Sequence, residues 1–488
     1  MTRAKSLGEH FSEIALAHGD KAAIAFPERI FTFSQLMQMV ESFAFKFRET
    51  GCDQSVGVQL LASDHLVQLA GVLATSMVGA KLVLDPRLPK DGGETRRFVD
   101  NLEGPWACEG AVLIDGTWSP SAVLPTVGPA PVPKDRPPVG GPWLTVTAMR
   151  EDGPLAVHLS EAAIMARIGD VGRGFDAESR VCSLSPLISL TFLTRSLAAL
   201  FRSGTVVVGH DPMFWERAGV TRVSGRPGDL TPLIDQMRFQ NRLPVVEIVG
   251  ARPTDKLARH LLEHFEVVED AFGTVETGVV HVNTGKLNRD GQAEWQSNPQ
   301  TSGVRIVDTA GKAMAKGGVG LIQIRASAPL DQAVPEVAAS LVRWMPTNDL
   351  ARWGETGDLV VVGRSDDLIN VLGRQVPGLA IDQIVTSVAG ILRAACFKNP
   401  VPGAEDELFI YCVFDEGCNQ MQAIASAKYK IGKSFGPAFV PRVFRQVAGI
   451  PMRPDGRAPD RRGCAEFLME IYRQRLRDAA APQGGDSA

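Results

Sequence analysis

Residues 347–376 read TNDLARWGETGDLVVVGRSDDLINVLGRQV. Asp349 and Arg364 stand on either side of a short apolar run, Leu359 to Val362, that reads as a strand. A double aspartate, Asp366-Asp367, and a glycine turn at Gly373 follow. No other run in the chain is as informative.

Around it lies a chain of 488 residues, too long for one core, so two or three domains are expected. Hydrophobic residues make up 44% and charged residues 22%, which describes an ordinary globular protein. The net charge of -4 offers no basic field for nucleic acid, so any polyanion needs a local site. The seven cysteines are scattered and form no CxxC pair, which reads as reduced thiols in a cytoplasmic protein. His260 and His264 are spaced four apart on an expected helix. Without a third ligand nearby they read as a solvated face rather than a metal site. The N-terminal MTRAKSLGEHF has no apolar run for export, and no 18-residue apolar stretch predicts a membrane span.

Residues 5–115 alternate helical and strand patterns. Phe31 to Phe33 is strand-like, and Ser34 is placed to cap a helix beginning at Gln35. Leu66 to Val78 repeats apolar residues at helical spacing, and Val83-Leu84 reads as a short strand closed by Asp85-Pro86. This order predicts an α/β sheet. Residues 117–142 are rich in Pro and Gly and read as a mobile linker. Strands are then expected at Arg180 to Leu184, Thr205 to Val208 and Pro244 to Val249, with a helix from Leu193 to Phe201. Residues 302–325 read as strands with Gly-rich turns.

The run at 347–376 resembles the crossover between the two domains of the adenylate-forming superfamily: acyl-CoA synthetases, luciferases and peptide-synthetase adenylation domains. Further pieces follow in family order: DKAAIAFPERIFTFSQL (Asp20 to Leu36), MVGAKLVLDP (Met77 to Pro86), VGARP (Val249 to Pro253), DAFGTVETG (Asp270 to Gly278) and IPMRPDGRAPDRR (Ile450 to Arg462). Each alone is weak, and their order carries the resemblance over most of the chain. It implies a large N-terminal α/β AMP-binding domain (1–365) with a β-rich subdomain. A small mobile α+β lid (366–478) and a disordered tail (479–488) would follow.

The resemblance also implies roles. Asp349 would grip the ribose hydroxyls of ATP, Arg364 would add a donor, and Asp366 would be the hinge. In this register Thr347-Asn348-Asp349 takes the place of the family's Thr-Gly-Asp, since Thr356-Gly357-Asp358 sits too close to Arg364. Gly250 and Ala251 would let backbone approach adenine, Phe272 and Gly273 would carry the aromatic-glycine pair beside the base, and Asp270 would receive the adenine amino group. Glu276 would be the Mg2+ ligand, with Thr274 in the motif's variable position. Gly373 would face the thiol tunnel. The plainer alternative makes Asp349 and Arg364 a structural ion pair, Phe272 a core residue and Glu276 a solvated loop residue.

Three departures stand out. The family's Gly-, Ser- and Thr-rich phosphate loop aligns with TAMREDGPLAVHLS (Thr147 to Ser160), where glycines and hydroxyls are lost and Glu151 and Asp152 enter. Val275 replaces a threonine. Arg457 stands where the family has its catalytic lysine, and a planar fork is no simple substitute for an ammonium. Two functions are therefore expected of the residues. One is a divergent AMP-forming acid–thiol ligase using ATP/AMP, Mg2+ and CoA or phosphopantetheine. Its partners would be a small carboxylic acid and in some cases an acyl carrier protein, with no nucleic acid and no membrane. The other is a catalytically impaired relative that binds a nucleotide or adenylate or serves as a partner scaffold.

Overall fold

A computed structural model describes residues 5–84, 94–104, 108, 110–118, 142–150, 153–289, 291, 293–297, 303–308, 310–314, 318–325, 344–372, 374–401, 407–453 and 459–480. Packing divides the chain into two units. One is Met1–Val304 with Ile324–Met345, the other Arg305–Gln323 with Pro346–Ala488. The change of unit thus falls at 345/346, and the double aspartate at 366–367 lies inside the second unit. Residues 119–141, most of the Pro/Gly-rich stretch, lie outside the described residues.

The first unit contains a nine-stranded sheet. Its order is Ala293–Ser297, Gly278–Leu287, Phe265–Thr274, Leu243–Val249, Arg222–Gly225, Arg180–Ser183, Thr205–Val207, Ala22–Ala25 and Ile30–Thr32. The pairings from Phe265–Thr274 through Ala22–Ala25 are parallel, and the strands beyond them at both edges are antiparallel. A six-stranded sheet has the order Val112–Leu113, Glu94–Val99, Val56–Leu61, Leu82–Val83, Pro142–Arg150 and Gly153–Ser160. One core draws on both sheets and on the helices Leu7–Ala17, Phe33–Glu49, His65–Val78, Glu161–Val171 and Leu190–Phe201. A second core packs Trp215, Leu261 and Phe265 with Val246 and Ile248. Period-two alternation then turns Glu247 to the opposite face of its strand.

The helix His65–Val78 forms where the apolar spacing predicts it. Asp64 Oδ1 accepts the Val67 N–H at 3.0 Å, and Gly79 ends the helix at φ 79°. The next expectation needs correction. Helix Phe33–Glu49 begins before Ser34, because Thr32 and not Ser34 is its cap. Thr32 Oγ1 accepts the Gln35 N–H (3.2 Å) while Gln35 Oε1 accepts the Thr32 N–H (2.9 Å). This reciprocal capping box satisfies two donors where Ser34 satisfies neither.

The second unit holds most of a four-stranded sheet, ordered Val304–Val307, Gly320–Arg325, Trp344–Trp353 and Leu359–Arg364. A hairpin, Leu368–Val371 with Arg374–Pro377, leads into helix Gly378–Thr386. The three-stranded sheet Ile391–Lys398, Leu408–Phe414 and Val443–Gln446 then packs with helices Gln420–Phe435 and Arg461–Ala480. The last helix takes in Ala479 and Ala480, which the sequence assigns to a disordered tail. No described helix is long and apolar enough to cross a membrane.

Candidate functional site

In the first unit the expected adenine and metal residues lie on two connected features. Strand Leu243–Val249 ends at Gly250, whose φ of 82° only glycine adopts freely. Ala251 beside it is exposed. Strand Phe265–Thr274 runs parallel to it, pairing Ala271 with Val249, and carries Asp270 and Phe272. Phe272 is half-buried opposite His281.

Asp270 is buried and already engaged. Asn283 Nδ2 donates to its Oδ2 at 3.0 Å, and Arg252 Nη1 lies 3.8 Å from the same oxygen. Asn283 in turn meets His281 Nε2 at 3.0 Å, and the Arg252 guanidinium carbon lies 5.2 Å from the Trp295 ring centre. The Arg252 partner was missed in the sequence, although a cation inside VGARP is a usable signal.

Phe272 and Gly273 lead into the tight turn that carries Glu276. Thr274 pairs with Gly278 across it, and Gly278 sits at φ 72°. The Thr274 and Thr277 hydroxyls meet at 3.0 Å. A Cβ on Gly273 would stand 2.1 Å from the Gly278 carbonyl oxygen, so glycine is obligatory for this close approach. Arg167, on helix Glu161–Val171, clamps the turn: Nη1 donates to the Val275 carbonyl (2.8 Å) and Nη2 to the Glu276 carbonyl (2.5 Å). Burial pulls its guanidinium down to about 10, against the opposing pull of Glu276. No sequence pattern announces Arg167, because its partners lie more than a hundred residues away. Arg167→Met should leave both carbonyls short of their donor and cost about 1–3 kcal/mol, measured by denaturant unfolding, with Arg167→Lys losing less.

A nucleotide-borne Mg2+ fits this turn. Glu276 is a half-buried hard oxygen donor, and Mg2+ is commonly held by one or two carboxylates plus substrate phosphates. No group of three or more His, Cys, Asp or Glu among the described residues forms a dedicated metal cage. His264 of the expected helical pair packs edge-on against Phe239, 5.9 Å between ring centres.

The stretch aligned with the phosphate loop forms an antiparallel hairpin. Its register runs from Pro142↔Ser160 through Val146↔Val157 to Met149↔Pro154 and Arg150↔Gly153. Residues 151 and 152 lie outside the described residues.

In the second unit, Asp349 and Arg364 are directly opposed on neighbouring antiparallel strands. Arg364 Nη1 lies 3.9 Å from Asp349 Oδ1, and both side chains remain partly exposed. Thr347 Oγ1 accepts the Asp349 N–H at 3.1 Å and donates to the Ile322 carbonyl at 3.0 Å. Asp358, of the competing Thr-Gly-Asp, is buried in the hairpin turn. Its Oδ1 accepts from Thr356 Oγ1 (2.8 Å), and a Cβ on Gly354 would stand 2.0 Å from that oxygen. Its carboxylate serves the turn.

Asp366 lies in the short 3-10 turn Ser365–Asp367. Its neighbour Asp367 receives two bonds from Arg461, Nε at 2.6 Å and Nη2 at 2.8 Å, and Arg453 Nη2 approaches to 3.5 Å. Arg461 Nη2 also donates to Asp382 (2.8 Å), whose carboxyl burial pushes up to about 6 despite that cation. Arg453 and Arg461 flank the segment that carries Arg457. Arg457 and Gly373 themselves lie outside the described residues.

No family model and no curated protein matches the chain. Solved structures do. The amide bond synthetase McbA from Marinactinospora thermotolerans superposes with a TM-score of 0.71 at 20% identity, covering 95% of this chain and 100% of that one. The anthranilate CoA ligase AuaEII in complex with anthranoyl-AMP gives 0.75 at 16% identity, covering 97% and 98%. O-succinylbenzoate coenzyme A synthetase (MenE) from Bacillus subtilis in complex with AMP gives 0.73 at 15%, covering 93% and 97%. The chain has the fold of the adenylate-forming enzymes, as the order of its motifs implies.

Proposed function

We propose that the chain is an acid–thiol ligase of the AMP-forming class, with an acyl-adenylate as its central species. In that class a carboxylate oxygen attacks the α-phosphorus of ATP and pyrophosphate leaves. A thiol sulfur then attacks the acyl carbon and AMP leaves. The observation that carries the reading is the Asp349–Arg364 pair, opposed in register and partly open to solvent, in a chain with this fold. Asp349 supplies acceptors for two ribose hydroxyls and Arg364 a charged donor. Gly250, Ala251, Phe272 and Gly273 frame the base, and Asp270, held by Arg252 and Asn283, stays an acceptor for the adenine amino group. Glu276 would hold the Mg2+ that a nucleotide brings, and Thr274 braces its turn. Arg457 takes the lysine's place, Asp366 is the hinge of a mobile lid, and Gly373 faces the incoming thiol.

The acyl group derives from a small carboxylic acid, a class supported by the anthranilate and O-succinylbenzoate named for two of the neighbours. The acceptor is CoA or the phosphopantetheine of a carrier protein. All seven cysteines are free thiols, which supports a reducing, cytoplasmic setting.

Calorimetric titration with AMP and with a non-hydrolysable acyl-adenylate analogue tests the reading. Both should bind, and Asp349→Ala should weaken both about 10- to 100-fold, the worth of charge-assisted hydrogen bonds of ~1.5–3 kcal/mol. Failure of the unaltered protein to bind either, or an Asp349→Ala variant that binds both undiminished, sinks it.

A further inference from the structure

This inference rests on the reading above and narrows it. We propose that this chain takes a preformed acyl-adenylate as its substrate, and that a separate ATP-dependent adenylation of a carboxylic acid supplies it. The hairpin Pro142–Arg150 with Gly153–Ser160 carries the argument.

Gripping the β- and γ-phosphates with backbone requires consecutive N–H groups that converge on one point. That geometry alternates right- and left-handed residues and calls for glycine. In the hairpin the same stretch is paired residue by residue out to Arg150↔Gly153. Successive N–H groups of a strand point to opposite sides, so a paired ladder forms no concave nest. Gly153, the only glycine between Thr147 and Ser160, is spent in the last ladder pair, and Pro154 has no N–H to give.

The hairpin is also anchored. Trp143, Leu144, Val146, Val157 and Leu159 are buried in the core of the first unit, and Thr145 Oγ1 meets His158 Nδ1 at 2.9 Å. That packing fixes the base of the ladder. The same stretch of sequence contains Glu151 and Asp152, which add negative charge and no glycine.

A second observation agrees. The Thr274 hydroxyl, two residues before Glu276, is occupied by Thr277, and Val275 offers no hydroxyl at all. The groups that would hold a pyrophosphate leaving group are therefore the altered ones. The groups expected for AMP keep their local geometry, each within its own unit: Asp349 faces Arg364 across a strand pair, and Gly250 keeps its left-handed turn. A ligand with an adenosine 5'-monophosphate and no further phosphates matches that division. In the retained step a thiolate sulfur forms the bond to the acyl carbon and the carbon–oxygen bond to phosphate breaks. AMP departs with the electron pair, and the thiol proton passes to solvent. Neither ATP nor pyrophosphate takes part.

The test compares AMP, a non-hydrolysable acyl-adenylate analogue and Mg-ATP by calorimetry on the full chain. It needs no knowledge of the natural acid. The expected result is binding of AMP and the analogue, with Mg-ATP at least tenfold weaker than AMP. Mg-ATP binding as tightly as AMP overturns the inference and leaves the ligase reading standing. Absence of binding by all three removes both. A second measurement separates ladder from charge: Glu151→Gln with Asp152→Asn should leave Mg-ATP the weaker ligand. If that pair of changes alone brings Mg-ATP to the affinity of AMP, the paired backbone is not what excludes the phosphates and the inference fails.

Discussion

Arg195→Met is expected to destabilise the first unit by about 3–5 kcal/mol. Arg195, on helix Leu190–Phe201, meets Glu247 through two bonds, Nε to Oε2 at 3.0 Å and Nη2 to Oε1 at 2.8 Å. Both side chains are less than 10% exposed. Burial pushes the Glu247 carboxyl up, but the Arg195 guanidinium overrides this and holds it at about 2. Removing the cation leaves the buried carboxylate with only the weaker pull of Arg222, and that loss, rather than the worth of the pair, sets the magnitude. The sign with pH follows. The folded value lies below the unfolded value near 4.5, so the stabilisation is complete above about pH 5 and fades as pH falls from there toward 2. In the variant the carboxyl rises from about 2, so its deficit should be largest at neutral pH and shrink in acid. Chemical denaturation at pH 7 and pH 4 reads both effects. Adding Glu247→Leu to Arg195→Met should recover much of the loss, because a well-packed apolar pair tolerates burial where a lone charge does not. A loss below 1 kcal/mol, or one independent of pH, contradicts the account.

Gly273→Ala is the second large effect. Its new Cβ would meet the backbone of the facing strand, 2.1 Å from the Gly278 oxygen and 2.8 Å from the Val279 Cα. No side chain can swing aside to relieve this, so the turn itself must open. Overpacking of this kind costs about 1–3 kcal/mol and occasionally more. The displaced turn carries Glu276 and adjoins Phe272, so binding of the acyl-adenylate analogue should be lost before the unit unfolds. Thermal unfolding and calorimetry on the same sample distinguish the two. An alanine variant that binds the analogue like the parent refutes the tight approach as a requirement of the site.

Local order was the legible part of the sequence. Helix His65–Val78 followed from apolar spacing, and the strands near 180, 205 and 243 from short β-branched runs between turn residues. These signals lie within the element they specify. By residue type alone Thr32 does not stand out as the cap, because Ser34 is an equally good residue two positions on. Only the reciprocal bond with Gln35 decides between them. The cross-strand opposition of Asp349 and Arg364 depends on a register that spacing alone does not give. Arg167 and the Arg195–Glu247 pair were invisible for a different reason. Their partners are brought together by the sheet across 52 to 109 residues, and one sequence carries no trace of that meeting. The altered phosphate stretch could be read as a loss of glycine. That it becomes a paired ladder is a fact of the fold.

The nine-stranded sheet has a consequence for the chain while it is being made. Strand Ala22–Ala25 bonds on one side to Ile30–Thr32, only a few residues on, and on the other to Thr205–Val207. At roughly 5–20 residues per second, a ribosome needs about 10–40 s to supply that second neighbour. Through this interval the nascent chain carries an open edge at Ile24 and Ala25, both destined for the interior. Such parallel, long-range pairing is intrinsically slow to form. The yield of folded protein should therefore depend on how well this one edge is shielded until residue 207 arrives.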